Sequence, residues 1–230
     1  GSLEQVAALS STDLHHIHSL WVRNTNASFT IVGGVPFEEA RGWIESLDQK
    51  LAEKSARTTF NAPLIQAESK LIAPRWAHTH FDREQTHILV GGNGISLHDQ
   101  DRYALRLLQN ILGGQSGRLF IELREKKSLA YTVSPMVMEG LEPGYVGTYI
   151  ACAPQKKDEA LLGMKTVLEK LAQSGPTATE MNRAKNYYLG QRAMDLQSTW
   201  SLAAGFGLEL LYRNEVISEA IIRKEVEKVT

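Results

Sequence analysis

Two neighbouring strand-like runs, about residues 129–138 and 144–153, constrain the fold of this chain more than any other feature. The segment between them, E-G-L-E-P-G, has the glycine and proline content of a tight turn. Strands joined by a short turn pair antiparallel, because the turn reverses the direction of the chain. A long amphipathic pattern follows over Gln155–Ser174 and stops at Gly175-Pro176, which predicts a helix packed on the sheet.

Predicted helices and strands alternate along the rest of the chain. Residues 55–75 lack a clear period and are predicted to be a loop or an extended connector. This pattern predicts an α+β fold, a two-layer, mostly antiparallel sheet covered by helices. Further strands are predicted at 26–35, 75–81 and 85–94, and further helices from Ser10, Pro36, His98, Ser116, Thr177, Trp200 and Ser218.

The chain is predicted to contain one folded domain. Its 230 residues, 43% of them hydrophobic, suffice to bury a sizeable core. We expect residues 1–2 to be a cloning remnant, 3–26 a linker and leading helix, and 27–230 a single α+β domain truncated from a longer chain. The pattern E-x-V occurs at residues 4–6 and again at 227–229. This repeat favours a longer chain made of two similar halves.

The charge balance argues against nucleic acid or an anionic membrane as a partner. The chain has 25 basic and 26 acidic residues, and its net charge is −1. It has no apolar run of about 18 residues, so no membrane insertion is expected. The single cysteine, Cys152, lies in an apolar run and is predicted to be a small buried side chain. We expect a soluble protein. No signal in the sequence decides its compartment, which would be the cytoplasm or the periplasm in a bacterium.

Several catalytic motifs are absent. The sequence has no Glu-His dipeptide, so His-x-x-Glu-His does not occur, and neither does His-Glu-x-x-His. The G-G-N-G and G-G-Q-S-G segments lack the features of a phosphate loop, a dinucleotide fingerprint or a serine elbow. His15 with His18, on a predicted helix, and His78 with His80, on a predicted strand, lack a carboxylate or cysteine at ligand spacing. No metal site is therefore predicted on this chain.

Residues 107–133, L-L-Q-N-I-L-G-G-Q-S-G-R-L-F-I-E-L-R-E-K-K-S-L-A-Y-T-V, carry a family resemblance. The stretch resembles the C-terminal half, without zinc, of the pitrilysin/insulinase-type zinc metallopeptidases, also called inverzincins, which include the processing peptidases. F-T-I-V-G-G-V-P-F-E-E-A, R-E-Q-T-H-I-L-V-G-G-N-G-I-S-L-H-D-Q-D-R-Y-A-L and G-P-T-A-T-E-M-N-R-A-K-N-Y-Y-L-G-Q are similar to further segments of that half. In order, these matches cover about residues 27–213.

The resemblance implies a substrate-binding role for two residues. In that family two homologous halves close around an extended peptide, and one half holds zinc through a His-x-x-Glu-His helix. The other half supplies an arginine and a tyrosine, which correspond here to Arg124 and Tyr131. The resemblance implies that Arg124 binds substrate backbone carbonyls and that Tyr131 stabilises the oxyanion. It also implies a zinc-bearing partner half, on the same chain or another subunit, with a homodimer possible, and a fragment that is inactive alone.

The chemistry of the pair agrees with that role. A peptide carbonyl attacked by zinc-bound hydroxide develops negative charge on its oxygen, and a waiting donor lowers the barrier. A phenol stays protonated at neutral pH, and a guanidinium is a permanent, forked donor.

Two alternatives stay open: Arg124 and Tyr131 are ordinary surface and sheet residues, or the chain is a catalytically inactive scaffold or partner subunit. Retention of both residues favours the peptidase hypothesis.

Overall fold

The computed structural model describes residues 1–55, 69 and 71–230, which form α-helices and one antiparallel sheet. This mixed architecture confirms the predicted α+β class. The chain divides into two units, Gly1–Leu64 with Met194–Ile217, and Ile65–Ala193 with Ser218–Thr230. The helices are α1 (Leu3–Ala8), α2 (Ser11–Trp21), α3 (Phe37–Ser55), α4 (Arg102–Leu112), α5 (Lys157–Ser174), α6 (Ala178–Asp195), α7 (Thr199–Arg213) and α8 (Glu219–Lys228), and the strands are β1 (Thr86–Asn93), β2 (Ala130–Met138) and β3 (Tyr145–Cys152).

The sheet of the second unit has the strand order β1-β3-β2, and both pairings are antiparallel. The predicted hairpin is confirmed as β2 and β3, with Met138 opposite Tyr145. A side chain at Gly144 would collide with the carbonyl oxygen of Met138, so the turn between these strands needs glycine there. The strand predicted at 85–94 is confirmed as β1, which pairs with β3 from Thr86 opposite Cys152 onward.

The core of the second unit lies between the sheet and its helices. The alternation of β3 buries Thr148, Ile150 and Cys152 on one face, as period-two side-chain geometry requires. The prediction that Cys152 is buried is confirmed, and burial raises the pKa of its thiol. Helices α4 and α5 contact the sheet, and α8 contacts α4. The large side chains that are almost fully buried in this unit are Leu107, Ile111, Leu119, Leu123, Ile150, Met164 and Val226.

Helix starts follow the capping chemistry that the sequence predicts. Ser10 and Asp13 form a capping box at the start of α2, and Thr177 and Glu180 exchange the same reciprocal bonds at the start of α6. Ser218 caps α8 through the backbone N–H of Ile221. Of the helices that the structure describes, none has the length and apolar content of a membrane span.

The strand predicted at 26–35 is wrong. In the first unit residues 27–35 form no helix or strand, and they pair with no strand among the described residues. The Ser28 hydroxyl donates to the Gly207 carbonyl at 2.8 Å, and the Thr30 hydroxyl donates to the Ala203 carbonyl at 2.7 Å. The segment is therefore held by side-chain bonds to α7, whereas a strand needs a backbone ladder.

The strand predicted at 75–81 is also wrong. These residues are exposed, and no strand pairs with them in the described part of the chain. Trp76 instead lies against α5, where the Lys165 ammonium is 4.9 Å from its ring centroid. The histidines at 78 and 80 consequently do not share the face of a strand. Most of the predicted connector 55–75, namely 56–68 and 70, lies outside the described residues.

Candidate functional site

A short helix with an unusual register carries Arg124. The helical turn begins at Arg118, and residues Phe120–Glu125 form a π-helix. Such single-turn π segments are rare and frequently occur at functional sites. The prediction that Ser116 caps this helix is wrong for the described structure, because the helix receives no side-chain cap. A side chain at Gly117 would collide with the Gly113 carbonyl oxygen, so the tight entry into the helix depends on glycine.

The buried side chains of this helix fix its orientation. Leu119 and Leu123 are 0% and 1% exposed. Gly163 of α5 lets the two helices approach, because a Cβ there would lie 2.6 Å from the Leu123 Cδ2 atom. Phe120 is only half-buried, and its ring packs against Arg124.

A four-residue turn, Lys126–Leu129, connects the π-helix to β2. Ser128 adopts a left-handed conformation with φ of 47°, which is uncommon for a residue other than glycine. Its backbone N–H donates to the Arg124 carbonyl at 3.0 Å, and the Leu129 N–H donates to the Leu123 carbonyl at 2.9 Å. The Lys156 ammonium donates to the Ser128 carbonyl at 2.8 Å. These bonds set the distance between the helix and the start of the strand.

Tyr131 lies at a β-bulge. Ala130 pairs with Cys152 and Thr132 pairs with Ala151, so Tyr131 is the extra residue between two adjacent rungs of the ladder. Bulges of this kind re-aim a side chain and often lie next to active sites. The Tyr131 side chain is 79% exposed, and its phenol is therefore accessible to a ligand.

The helix and the bulge bring the two predicted site residues together. The Arg124 guanidinium carbon lies 4.6 Å from the Tyr131 ring centroid and 4.7 Å from the Phe120 ring centroid. One Arg124 nitrogen, Nη1, donates to the Tyr131 carbonyl at 3.2 Å. The pair is thus in direct contact although seven residues separate it in the chain.

The guanidinium of Arg124 keeps donors for a ligand. Its side chain is 34% exposed, and its Nε lies 3.9 Å from a carboxylate oxygen of Glu125, too far for a hydrogen bond. An arginine side chain has five N–H donors, and one of them is used by the Tyr131 carbonyl. The site therefore presents a phenol and a fixed cation on one exposed surface, which is a suitable arrangement for carbonyl oxygens and a developing oxyanion.

Sequence reasoning missed two residues of this site. Phe120 lies one helical turn before Arg124, and that four-residue spacing was the available signal for a ring against the guanidinium. Lys156 is distant in sequence from the turn that it stabilises, and no local sequence pattern predicts the contact. Both residues position Arg124 or the turn that follows it.

No metal centre accompanies the pair in the described structure. Within residues 1–55, 69 and 71–230, no group of three or more His, Cys, Asp or Glu side chains is arranged to hold a metal ion. The His15 Nδ1–H donates to the Ser11 carbonyl at 2.7 Å, so this ring nitrogen is engaged by its own helix. The absence of zinc from this chain stays a prediction.

Known proteins resemble the chain in sequence and in fold. An uncharacterized zinc protease of Streptomyces coelicolor is 29% identical over 98% of this chain and 44% of its own length. A crystal structure of a protease from Helicobacter pylori superposes with a TM-score of 0.83 at 20% identity, over 100% of this chain and 55% of that one. A peptidase M16 inactive domain from Pseudomonas fluorescens gives a TM-score of 0.75 at 20% identity, over 100% of this chain and 54% of that one.

These comparisons confirm the family resemblance noted in the sequence. The chain spans about half the length of the relatives that it matches. The family model described as the peptidase M16 inactive domain matches residues 8–188, which is most of the chain. The chain belongs to the peptidase M16 inactive-domain family, whose members include parts of proteins named zinc proteases.

Proposed function

We propose that this chain is the substrate-binding half, without zinc, of a zinc-dependent metalloendopeptidase that hydrolyses peptides or small proteins. Membership of the peptidase M16 inactive-domain family supports this, as does the naming of full-length relatives as zinc proteases. The chain lacks His-x-x-Glu-His, so the zinc and the general base belong to a homologous half, on the same chain or on a partner subunit.

In this proposal Arg124 binds the substrate backbone and Tyr131 acts at the reacting carbonyl. The guanidinium donates to backbone carbonyl oxygens of an extended peptide and holds it in register. The Tyr131 hydroxyl donates to the oxygen that becomes negative when hydroxide attacks the scissile carbonyl. Zinc, where the other half binds it, supplies that hydroxide and polarises the carbonyl.

The single observation that carries the proposal is the contact between the two side chains on an exposed surface. The Arg124 guanidinium lies 4.6 Å from the ring of Tyr131, and Tyr131 is 79% exposed. A left-handed turn and a β-bulge are both needed to produce this contact. Local irregularities of this kind are retained where function gains from them, since each one interrupts regular hydrogen bonding.

The test is Tyr131→Phe in the full-length protein that contains the zinc-bearing half. The expected result is a kcat lower by about 10²- to 10³-fold with little change in KM, the loss typical of one oxyanion donor. Tyr145→Phe is the matched control, because Tyr145 is a partly exposed tyrosine at the far end of the same sheet. Equal kcat values for wild type and Tyr131→Phe would contradict the role given to Tyr131.

A further inference from the structure

A cavity of about 450 Å³ lies in the second unit and is walled by the π-helix segment and α5. Pockets of this volume commonly hold small organic molecules. Among the described residues that line it, neither Arg124 nor Tyr131 is present. We infer that this cavity binds a small amphiphilic anion, a carboxylate or phosphate group joined to a short apolar body. This inference is independent of the proposed peptidase role.

The acidic groups of the cavity are already neutralised. Glu180 accepts two bonds of 2.7 Å from Arg118, and this pairing holds the pKa of the Glu180 carboxyl at about 2. Glu122 accepts a bond of 2.6 Å from Lys126, the residue that directly follows the π-helix. Neither carboxylate is therefore available to neutralise the other cations that line the cavity.

Three further cations line the same cavity without a carboxylate of their own. Lys127 follows the π-helix, Lys170 lies on α5 and Arg183 lies on α6. In the described part of the chain, none of the three forms an ion pair within 4.0 Å. Like charges around one cavity repel each other, and an anion placed between them relieves that repulsion. Three separate segments contribute positive charge to the same cavity, which points to a ligand with an anionic head group.

Part of the cavity wall is apolar. Ile121 and Leu123 of the π-helix and Val167 of α5 line it among charged and polar side chains, and Ile121 is the most exposed of the three. An inorganic anion would leave this wall unused, whereas an alkyl or aryl group would bury apolar surface against it. The ligand therefore combines an anionic head group with an apolar body.

Isothermal titration calorimetry on the 230-residue chain tests the inference with four probes. Octanoate and octyl phosphate carry both features, octanol lacks the charge, and inorganic phosphate lacks the apolar body. We expect the first two to bind with an affinity that falls as salt is added, since screening weakens charge contacts. Their relative affinity identifies the head group. Octanol and inorganic phosphate are expected to bind at least about tenfold more weakly, a difference of about 1.4 kcal/mol.

Two matched pairs of substitutions locate the site. Lys127→Gln with Lys170→Gln removes two cations from the cavity, and Lys50→Gln with Lys224→Gln makes the same change in net charge elsewhere. The first pair is expected to weaken binding of the charged probes by about tenfold or more, as loss of charge-assisted bonds typically does. The second pair is expected to leave binding unchanged.

A third variant, Thr166→Phe, fills the cavity without altering its charge. Binding of octanoate is expected to be lost while the melting temperature shows that the protein stays folded. The inference is overturned if octanol or inorganic phosphate binds as well as the amphiphilic anions, or if neither amphiphile binds. Equal weakening by the two lysine pairs would also overturn it, because the attraction would then come from the net charge of the protein.

Discussion

Arg124 lies between two aromatic rings, and this packing limits the directions in which its guanidinium can point. The rings of Phe120 and Tyr131 lie 4.7 and 4.6 Å from the guanidinium carbon. A flat guanidinium packs on aromatic faces and donates in a fixed fork, whereas an ammonium is a compact point charge. Arginine and lysine are therefore not equivalent at this position.

We predict that Arg124→Lys weakens substrate binding in the full-length protein. The expected result is a KM higher by about tenfold or more with a smaller change in kcat, because backbone contacts are made in both ground state and transition state. Arg223→Lys on α8, an exposed arginine, serves as the control and is expected to change neither constant. A KM for Arg124→Lys equal to that of the wild type would count against the proposed peptide contact.

Glu180 and Arg118 make stability depend on pH. The pKa of Glu180 is lowered from 4.5 to about 2, chiefly by its bonds to Arg118. A carboxyl with a lowered folded-state pKa stabilises the fold fully above its unfolded pKa, and the stabilisation is lost as the pH falls through the folded value. Both side chains are less than one fifth exposed, at 19% and 17%, so solvent screens the pair little.

We predict that Glu180→Gln lowers the free energy of unfolding by about 2 to 3 kcal/mol at pH 7. The difference between wild type and variant should narrow by more than half on going to about pH 3, because the unfolded chain takes up a proton at Glu180 below its ordinary pKa of 4.5 while the folded carboxylate, with a pKa of about 2, is still largely ionised. Urea unfolding curves across this range measure it. A gap that is constant with pH would show that the lowered pKa of Glu180 contributes no stability.

At the scale of elements, the close approach of the π-helix to α5 depends on a single glycine. A Cβ at Gly163 would lie 2.6 Å from the Leu123 Cδ2 atom, and Leu123 is almost fully buried. Gly190 of α6 has nothing within 4 Å of the corresponding position. A side chain added at Gly163 would therefore overlap a buried neighbour, whereas one added at Gly190 would meet open space.

We predict opposite signs for the two alanine substitutions. Gly163→Ala is expected to destabilise the protein by about 1 to 2 kcal/mol, because overpacking outweighs the better helix propensity of alanine. Gly190→Ala is expected to stabilise it by up to about 1 kcal/mol through propensity alone. Thermal or urea unfolding distinguishes them, and changes of the same sign in both variants would refute the steric explanation.

Most helices and the central hairpin were predictable from the sequence, but two strands and the details of the site were not. Caps such as Ser10 and Thr177 are local signals, and the helices follow them. A strand also needs a partner strand, and the side-chain pattern within 26–35 or 75–81 contains no information about which segment would pair with it. The π-helix and the bulge at Tyr131 arise from packing and ladder register, which a one-dimensional pattern does not encode.

At the scale of the whole molecule, the chain resembles only part of each zinc protease that it matches. Under the proposed function both halves must be present before a peptide bond is cut, because substrate positioning and hydroxide generation are assigned to different halves. The division into a linker and leading helix at 3–26 and a single domain at 27–230 stays a prediction.

We predict that the 230-residue chain, purified and dialysed, is folded, free of tightly bound zinc and without peptidase activity. Inductively coupled plasma mass spectrometry measures the metal, circular dichroism measures the fold, and a fluorogenic peptide assay measures activity. Addition of the zinc-bearing half is the positive control. Stoichiometric zinc on the isolated chain would contradict the assignment of the metal to the other half.

The bulge at Tyr131 has an evolutionary consequence. Because Ala130 and Thr132 pair with consecutive residues of β3, Tyr131 is the one residue of β2 that the ladder does not require. Deletion of a single codon there would restore a regular strand and eliminate the phenol without touching the core. Under the proposed function, one in-frame deletion would thus convert a half that takes part in proteolysis into one without the phenol.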